Sequence, residues 1–281
     1  MRAYLELAKP ERTLTNVLTA LAGYLFASKW HLTWRLLALL LGSTLIIAAA
    51  CVFNNVLDRR LDKRMGRTKK RVLVSGRVTV SNALIYGTLL GAAGFWALSY
   101  TNRLTLIIGA LAFISYVLLY GAAKRYSIHG TLVGTVPGGA SLVAGYSSVT
   151  NRLDLTALLL FLAMLAWQMA HFYAIAIYRY DDYKAAELPV MPVKTSVHAA
   201  KIQIIFYIIF FIITAGLITP VGHAGYIYLV AVVVLGIWWL LKALHRYTRS
   251  AHDEWGRGVF FFSLRVITVF SILVAVARIL P

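Results

Sequence analysis

The chain has 281 residues, of which 60% are apolar and only 14% are charged, and its formal net charge is +18. A soluble globular domain carries about 25% charged residues, so the composition excludes an ordinary water-soluble protein. The positive charge alternates with apolar runs instead of forming one basic face, which excludes nucleic-acid binding as its main purpose.

Nine apolar runs of 17 to 24 residues follow one another along the chain. Each is long enough to cross a hydrocarbon core of about 30 Å as an α-helix. The runs are 14–30, 36–57, 82–100, 102–121, 131–149, 155–178, 199–218, 222–244 and 258–279. We therefore predict an all-α fold, a polytopic membrane helix bundle of about nine transmembrane helices, forming a single domain over 1–281.

The charged residues predict the orientation of this bundle. With the N-terminus inside, 22 of the 28 Lys and Arg residues fall on the inner side. The long polar connections on that side are 58–81, 122–130, 179–198 and 245–257. The positive-inside rule then predicts a cytoplasmic-membrane protein with its N-terminus inside and its C-terminus outside. Nine of the ten Asp and Glu residues also lie inside, Asp154 being the exception, so we expect the function there.

The second run ends in three polar residues spaced by four, Asn54, Asp58 and Asp62, which share one helix face. Two carboxylates at this spacing repel each other, and Asp58 has no Lys or Arg three or four residues away. Magnesium binds through one or two carboxylates together with substrate phosphates, and would relieve the repulsion. The alternative is a solvated helix end. Cys51, the single cysteine, excludes an internal disulfide and indicates packing.

Basic residues follow this motif and also close the fourth run at the same membrane face. Cations beside carboxylates suit a metal-bridged diphosphate. The candidate diphosphate-binding residues are Arg67, Lys70, Arg71, Tyr120, Lys124 and Arg125. For each of them the alternative is a topology or interfacial anchoring role.

The sixth run contains His171, in the segment 167–173, within otherwise apolar surroundings. A polar ring at membrane depth is costly unless it has a partner, so it marks a candidate site. His171 is either a buried hydrogen-bonding residue or a contact for a metalloporphyrin or another substrate. His129, in an inner connection, is a second candidate.

A second acidic group follows the sixth run. Asp181, Asp182 and Glu187 could hold another metal ion, although Arg179 and Lys184 are close enough in sequence to neutralise them. Because both acidic groups end an even-numbered run, segments 54–58 and 178–182 also suggest a duplicated half-bundle.

Taken together, the motifs resemble the protoheme IX farnesyltransferases (heme O synthases) of the UbiA-type intramembrane prenyltransferase superfamily, over nearly the whole chain. The Asp motif alone indicates only the superfamily. The heme-modifying branch is indicated by Arg67-Thr68, Trp167-Gln168-x-x-His171-Phe172, and Asp182-Tyr183 followed by Pro189-Val190-Met191-Pro192. The sequence departs from the family pattern where proline is expected, at Val72, at Ala170 and near Ser141-Leu142.

This resemblance implies a helix bundle around a central cavity open to the cytoplasmic side, with Mg2+ as cofactor. The implied reaction joins the farnesyl group of farnesyl diphosphate to heme b, with water addition, giving heme O and diphosphate. Membrane lipid is an implied partner, and so is a heme A synthase or terminal oxidase. The implied catalytic residues are Asn54, Asp58, Asp62, Lys124 and Asp182, with Asn54 and the three Asp as metal ligands.

The acceptor and the carbocation would be held by other residues. The expected heme contacts are Trp167, His171 and Tyr178, and the expected cation-stabilising aromatics are Phe53, Tyr116, Phe172 and Tyr173.

Two other functions remain open from the sequence. The same diphosphate site would serve prenylation of an aromatic quinone precursor, which needs no porphyrin contact. A transporter is the second alternative, but transporters place ionisable groups near the bilayer midplane on broken helices. The acidic residues here lie at inner helix ends instead.

Overall fold

The structure, a computed structural model, describes residues 2–66, 68–245, 247 and 251–281. These residues form helices and connections and contain no strand. The helices are α1 (Arg2–Ala8), α2 (Pro10–Ser28), α3 (Trp34–Asp62), α4 (Val80–Ser99), α5 (Arg103–Ile114), α6 (Tyr120–Tyr126), α7 (Gly130–Thr150), α8 (Leu155–Tyr178), α9 (Tyr180–Ala185), α10 (Met191–Lys194), α11 (Val197–Gly216), α12 (Ile218–Gly222), α13 (Tyr226–Leu244) and α14 (His252–Val276).

Seven helical segments in the described part of the chain are long and apolar enough to cross a membrane. They are Trp34–Asp62, Val80–Ser99, Arg103–Tyr126, Leu155–Tyr178, Val197–Gly222, Tyr226–Leu244 and His252–Val276. This confirms the prediction of an all-helical, multi-pass bundle. The two other predicted spans correspond to α2 and α7, of 19 and 21 residues, which are richer in polar residues or glycine. The total of nine crossings stays a prediction.

Many large apolar side chains point away from the bundle. Trp96 is 66% exposed, Leu89 65% and Leu37 64%, and similar residues lie on most of the long helices. A soluble monomer does not expose apolar surface on this scale, whereas lipid tails cover it at no cost. The exposed apolar residues therefore indicate a surface covered by lipid, as the apolar composition predicts.

Two helices extend beyond the predicted apolar runs into polar sequence. The apolar run of α3 was expected to end at 57, but the helix continues to Asp62 and includes the whole Asp motif. Likewise, α14 begins at His252 and not at 258. Apolarity marks only the membrane-embedded part of a helix, while the backbone hydrogen bonds continue into the polar segment.

Glycines bring α2 and α7 into close contact. A Cβ atom added at Gly23 would lie 2.1 Å from the Leu142 carbonyl oxygen, and one added at Gly145 would lie 1.9 Å from the Ala20 carbonyl oxygen. Small residues allow membrane helices to approach to backbone contact in this way. The C-terminal half of α2 is thereby held against α7.

A single π-helical turn, Ser115–Leu119, joins α5 to α6. Such turns accommodate an extra residue and often occur at functional sites. Beyond this turn, Lys124 faces α3 and bonds Asp58, and Tyr120 stacks on Tyr116 with ring centroids 5.6 Å apart. The turn therefore orients the residues of α6 toward the Asp motif.

Candidate active site

The Asp motif lies on one buried face at the end of α3. Asn54, Asp58 and Asp62 are 4%, 8% and 4% exposed. Their spacing of four residues places them in line along the helix, as predicted. Buried carboxylates are costly unless they have partners, so their neighbours decide what this face can bind.

Asp58 is paired with a cation that local spacing did not reveal. Lys124 donates a hydrogen bond to Asp58 Oδ2 across 66 residues of sequence. With its amide oriented to satisfy both neighbours, Asn54 donates to the same oxygen at 3.0 Å and accepts from Lys124 Nζ at 3.1 Å. Asn54, Asp58 and Lys124 therefore form one buried cluster that balances its own charge.

The second oxygen of Asp58 retains binding capacity. Asp58 Oδ1 is buried and accepts no hydrogen bond from the described residues, and Arg125 Nη2 lies 3.6 Å from it. Arg125 instead donates to the Leu57 carbonyl oxygen at 2.6 Å. A hard cation prefers a carboxylate oxygen with a free lone pair, so these residues fit a magnesium ion.

Asp62 is held by the segment that follows α3. Arg71 Nη1 donates to both carboxylate oxygens, at 2.7 and 2.8 Å, and Thr68 donates to the Asp62 carbonyl oxygen at 3.0 Å. Arg71, predicted as a phosphate ligand, is thus an ion-pair partner of the motif in this structure. Lys70 is exposed, and Arg67 lies outside the described residues.

The second acidic group lies beside the first but is more open. Asp182 is half-buried in α9, and its Oδ1 would lie 3.8 Å from a Cβ placed on Gly66. Asp181 and Glu187 are exposed, and Glu187 pairs with Arg64 at 3.8 Å. Over the described part of the chain, no three His, Cys, Asp or Glu side chains form a metal-binding group. A metal ion could therefore be bound here by one or two carboxylates together with the phosphate oxygens of a substrate.

The duplication suggested by the sequence does not extend to local geometry. Asp58 lies within α3, whereas α8 ends at Tyr178 and Asp182 belongs to the separate short helix α9. The two acidic groups are therefore not in equivalent positions.

His171 has an aromatic and hydrogen-bonded environment. Its Nδ1 is 2.7 Å from Ser263 Oγ, and its ring lies 4.9 Å from the rings of both Trp167 and Phe260. Tyr178 lies 6.2 Å from Phe260 in turn. The three predicted heme contacts therefore share one wall, which we call the His171 wall, and α14 contributes Phe260 and Ser263 to it.

Sequence reasoning missed the contribution of α14. Ser263, a polar residue within an apolar run, was the available signal. Trp167 Nε1 donates to the Ser263 carbonyl oxygen at 2.8 Å, and the Trp167 side chain is 7% exposed. Trp167 consequently joins α8 to α14 and presents little surface to a ligand.

The four predicted cation-stabilising aromatics do not share one surface. Phe53 packs against Phe113 at 5.8 Å, and Tyr173 is buried 6.3 Å from Tyr207. Phe172 lies beside His171 at 5.4 Å, and only Tyr116 stacks on a residue next to the Asp motif. Phe53 and Tyr173 therefore serve helix packing.

A further basic residue near the Asp motif is Lys9, which counts in the sequence only among the inner Lys and Arg residues. Lys9 joins α1 to α2 with a left-handed φ of 49°, and its Nζ is buried without a hydrogen-bond partner among the described residues. Burial lowers the pKa of Lys9 to about 7. It lines a cavity of about 70 Å³ with Asp62, Arg71 and Asn55.

An exposed ion pair and a buried hydrogen bond hold α1 against the end of α3. Arg77 donates to both carboxylate oxygens of Glu6, and Asn55 Nδ2 donates to the Leu7 carbonyl oxygen at 3.0 Å. This pairing lowers the pKa of Glu6 through its bond with Arg77. Helix α1 thus covers the end of α3.

The amino-acid sequence is similar to those of known prenyltransferases. Residues 16–265 match the UbiA prenyltransferase family. A protoheme IX farnesyltransferase from Serratia proteamaculans is 42% identical over 280 residues, covering 98% of this chain and 94% of the relative. Another from Edwardsiella ictaluri is 43% identical over 279 residues, with the same coverage of both chains.

Solved structures share the fold at lower identity. A structure of digeranylgeranylglyceryl phosphate synthase superposes with a TM-score of 0.83 at 18% identity, covering 99% of this chain and 98% of that one. A UbiA homolog from Archaeoglobus fulgidus bound to GPP and Mg2+ gives a TM-score of 0.73 at 16% identity, covering 97% and 99%.

Proposed function

The chain belongs to the UbiA prenyltransferase family, and from this premise we propose that it transfers a farnesyl group from farnesyl diphosphate to a vinyl group of protoheme IX. The buried Asn54, Asp58 and Lys124 cluster is the observation that carries the proposal. It offers a carboxylate oxygen for a metal and an ammonium for a phosphate at the same place. The names of the curated relatives support the farnesyl donor and the heme acceptor.

The face of the bundle that carries Asp58 and Asp62 is proposed to lie in the cytoplasm, with the N-terminus inside and the C-terminus outside. The excess of Lys and Arg in the connections at this face supports that orientation. Both substrates would then enter from the inner leaflet of the cytoplasmic membrane. We further propose that a heme A synthase or a terminal oxidase receives the product.

Asp58, Asp62, Asn54 and Asp182 are the proposed ligands of Mg2+. When bound, Mg2+ supplies positive charge to the leaving diphosphate. Binding of the diphosphate would shift Lys124 from Asp58 to a phosphate oxygen, since an ammonium can donate to both kinds of oxyanion. Arg125, and Arg71 from the connection after α3, add further donors.

The reaction then breaks the bond between farnesyl C1 and the diphosphate oxygen, whose electron pair leaves with diphosphate. The stacked rings of Tyr116 and Tyr120 present electron-rich faces near the developing allylic cation. The terminal carbon of the heme vinyl group forms the new bond to farnesyl C1. Water adds its oxygen to the adjacent vinyl carbon and loses a proton, giving a hydroxyethyl group.

The test is a reconstituted reaction of the purified protein with heme b, farnesyl diphosphate and Mg2+, followed by mass analysis of the porphyrin. We expect a heme product that has gained farnesyl plus water. A chelator should reduce the product below detection, and added Mg2+ should restore it, because both carboxylates and diphosphate need the metal to approach each other. An unchanged porphyrin in the complete reaction would refute the heme acceptor.

The His171 wall predicts a separate effect on acceptor binding. We expect His171→Phe to weaken heme binding about tenfold or more, since an imidazole held by Ser263 is replaced by a ring without polar atoms. Absorbance titration with heme measures this, and His252→Phe, the same change at an exposed position of α14, is the control. Unchanged heme binding in His171→Phe, with farnesyl diphosphate still consumed, would favour an aromatic quinone precursor as acceptor.

A further inference from the structure

A cavity of about 380 Å³ lies between the end of α13 and the beginning of α14. The residues that line it include Lys242 and His245 at the end of α13, and Glu254, Trp255, Arg257 and Phe261 of α14. None of them belongs to the proposed metal, diphosphate or heme sites. The cavity is therefore a separate feature, at the end of the bundle that also carries the Asp motif.

Buried contacts hold the floor of this cavity, formed by Trp255 and Val259, in place. Trp255 Nε1 donates to the Ala243 carbonyl oxygen at 3.0 Å, which joins α14 to α13. Lys201 of α11 donates to the Tyr247 carbonyl oxygen at 2.6 Å, and its Nζ lies 4.6 Å from the centre of the Trp255 ring. Three helices thus fix the two helix ends around the cavity.

Basic side chains dominate the lining. Lys242, Arg257 and His245 face one carboxylate, that of Glu254. Lys242, His245 and Glu254 form no hydrogen bond or ion pair with any residue that the structure describes. The Arg257 guanidinium carbon lies 5.8 Å from the centre of the Phe261 ring, which leaves its N–H groups able to donate. The cavity therefore offers donors to an anion, and a phosphate oxygen suits both Lys and Arg.

Exposed apolar residues adjoin the cavity on both helices. Trp238 and Leu241 precede Lys242 on α13, and Phe261 and Leu264 follow Arg257 on α14, and all four are exposed. Both helices thus change from charged to lipid-facing sequence within about one or two turns of the cavity. A ligand that fills the cavity and lies on this surface has an anionic head and apolar chains.

We propose that this cavity binds the headgroup phosphate of an anionic phospholipid. Lys242 and Arg257 donate to the phosphate oxygens, and the acyl chains cover the exposed apolar residues of α13 and α14. Basic pockets between transmembrane helices at the cytoplasmic side hold anionic headgroups in this way. The site is independent of which acceptor the protein prenylates, because it shares no residue with the reaction site.

The test measures lipid binding to the purified protein in detergent, with native mass spectrometry counting the lipids retained. We expect phosphatidylglycerol to bind about tenfold more tightly than phosphatidylcholine. The double variant Lys242→Gln and Arg257→Gln should lose this preference. Lys184→Gln with Lys194→Gln removes equal charge at exposed positions of the connection 179–198 and should keep it.

A third variant tests the cavity without changing its charge. Gly258 also lines the cavity, and nothing lies within 4 Å of a Cβ added there, so Gly258→Phe would place a ring in the open space. This variant should bind phosphatidylglycerol about tenfold more weakly than the wild type. The thermal midpoint without added lipid checks that each variant is folded.

Three results would overturn the proposal. The first is an unchanged preference in the Lys242 and Arg257 double variant. The second is an equal loss in the control pair, which would show attraction to surface charge in general. The third is displacement of the lipid by inorganic phosphate or farnesyl diphosphate at the same concentration, which would assign the cavity to a soluble anion.

Discussion

Asp58→Asn should lower product formation by about a hundredfold or more while leaving the protein inserted and folded. The substitution keeps the size of the side chain and removes the charge that a magnesium diphosphate needs. Asn54 and Lys124 would retain a hydrogen-bonding neighbour, so the end of α3 should stay ordered. Product yield at saturating farnesyl diphosphate and heme, measured by chromatography, checks the prediction.

Asp253→Asn is the matched control for this substitution. Asp253 lies exposed in the first turn of α14, at the same end of the bundle as the Asp motif. Its neutralisation should leave the yield within about twofold of the wild type, because it removes the same charge without a ligand role. Full activity of Asp58→Asn would exclude Asp58 as a metal ligand.

Gly145→Ala should destabilise the protein more than any other single methyl addition discussed here. The new Cβ would lie 1.9 Å from the Ala20 carbonyl oxygen and 2.8 Å from the Tyr24 amide nitrogen. Both are backbone atoms, so α2 and α7 would have to separate along their contact. We expect a loss of about 3 kcal/mol or more, visible as a lower midpoint of thermal aggregation in detergent.

Gly258→Ala provides the comparison for that loss. Nothing lies within 4 Å of a Cβ added at Gly258 in α14, and alanine favours a helix by about 1 kcal/mol over glycine. Its midpoint should therefore equal or exceed the wild-type value. Equal midpoints for Gly145→Ala and the wild type would contradict the close approach of α2 and α7.

The fold was largely predictable because apolar runs report directly on membrane-embedded helices. The spacing of Asn54, Asp58 and Asp62 likewise reports their common face, since helix geometry is local. Proline positions were less informative. Although proline was expected at Ala170, α8 is continuous from Leu155 to Tyr178, and α7 carries its proline at Pro137 instead.

The partners of the site residues were not predictable, because they lie on other helices. Lys124 is 66 residues from Asp58, and Ser263 is 92 residues from His171. No periodicity links such pairs, since they depend on how helices rotate against each other.

The π-helical turn at Ser115–Leu119 makes the geometry of the site depend on chain length as well as on side-chain identity. An α-helix advances by about 100° per residue, so the one additional residue of this turn decides the direction in which Lys124 points. A homologous sequence could keep Tyr120 and Lys124 and still lose their alignment with Asp58 by a single deletion in that turn. The count of residues between α5 and α6 is thus a determinant of the active site in its own right.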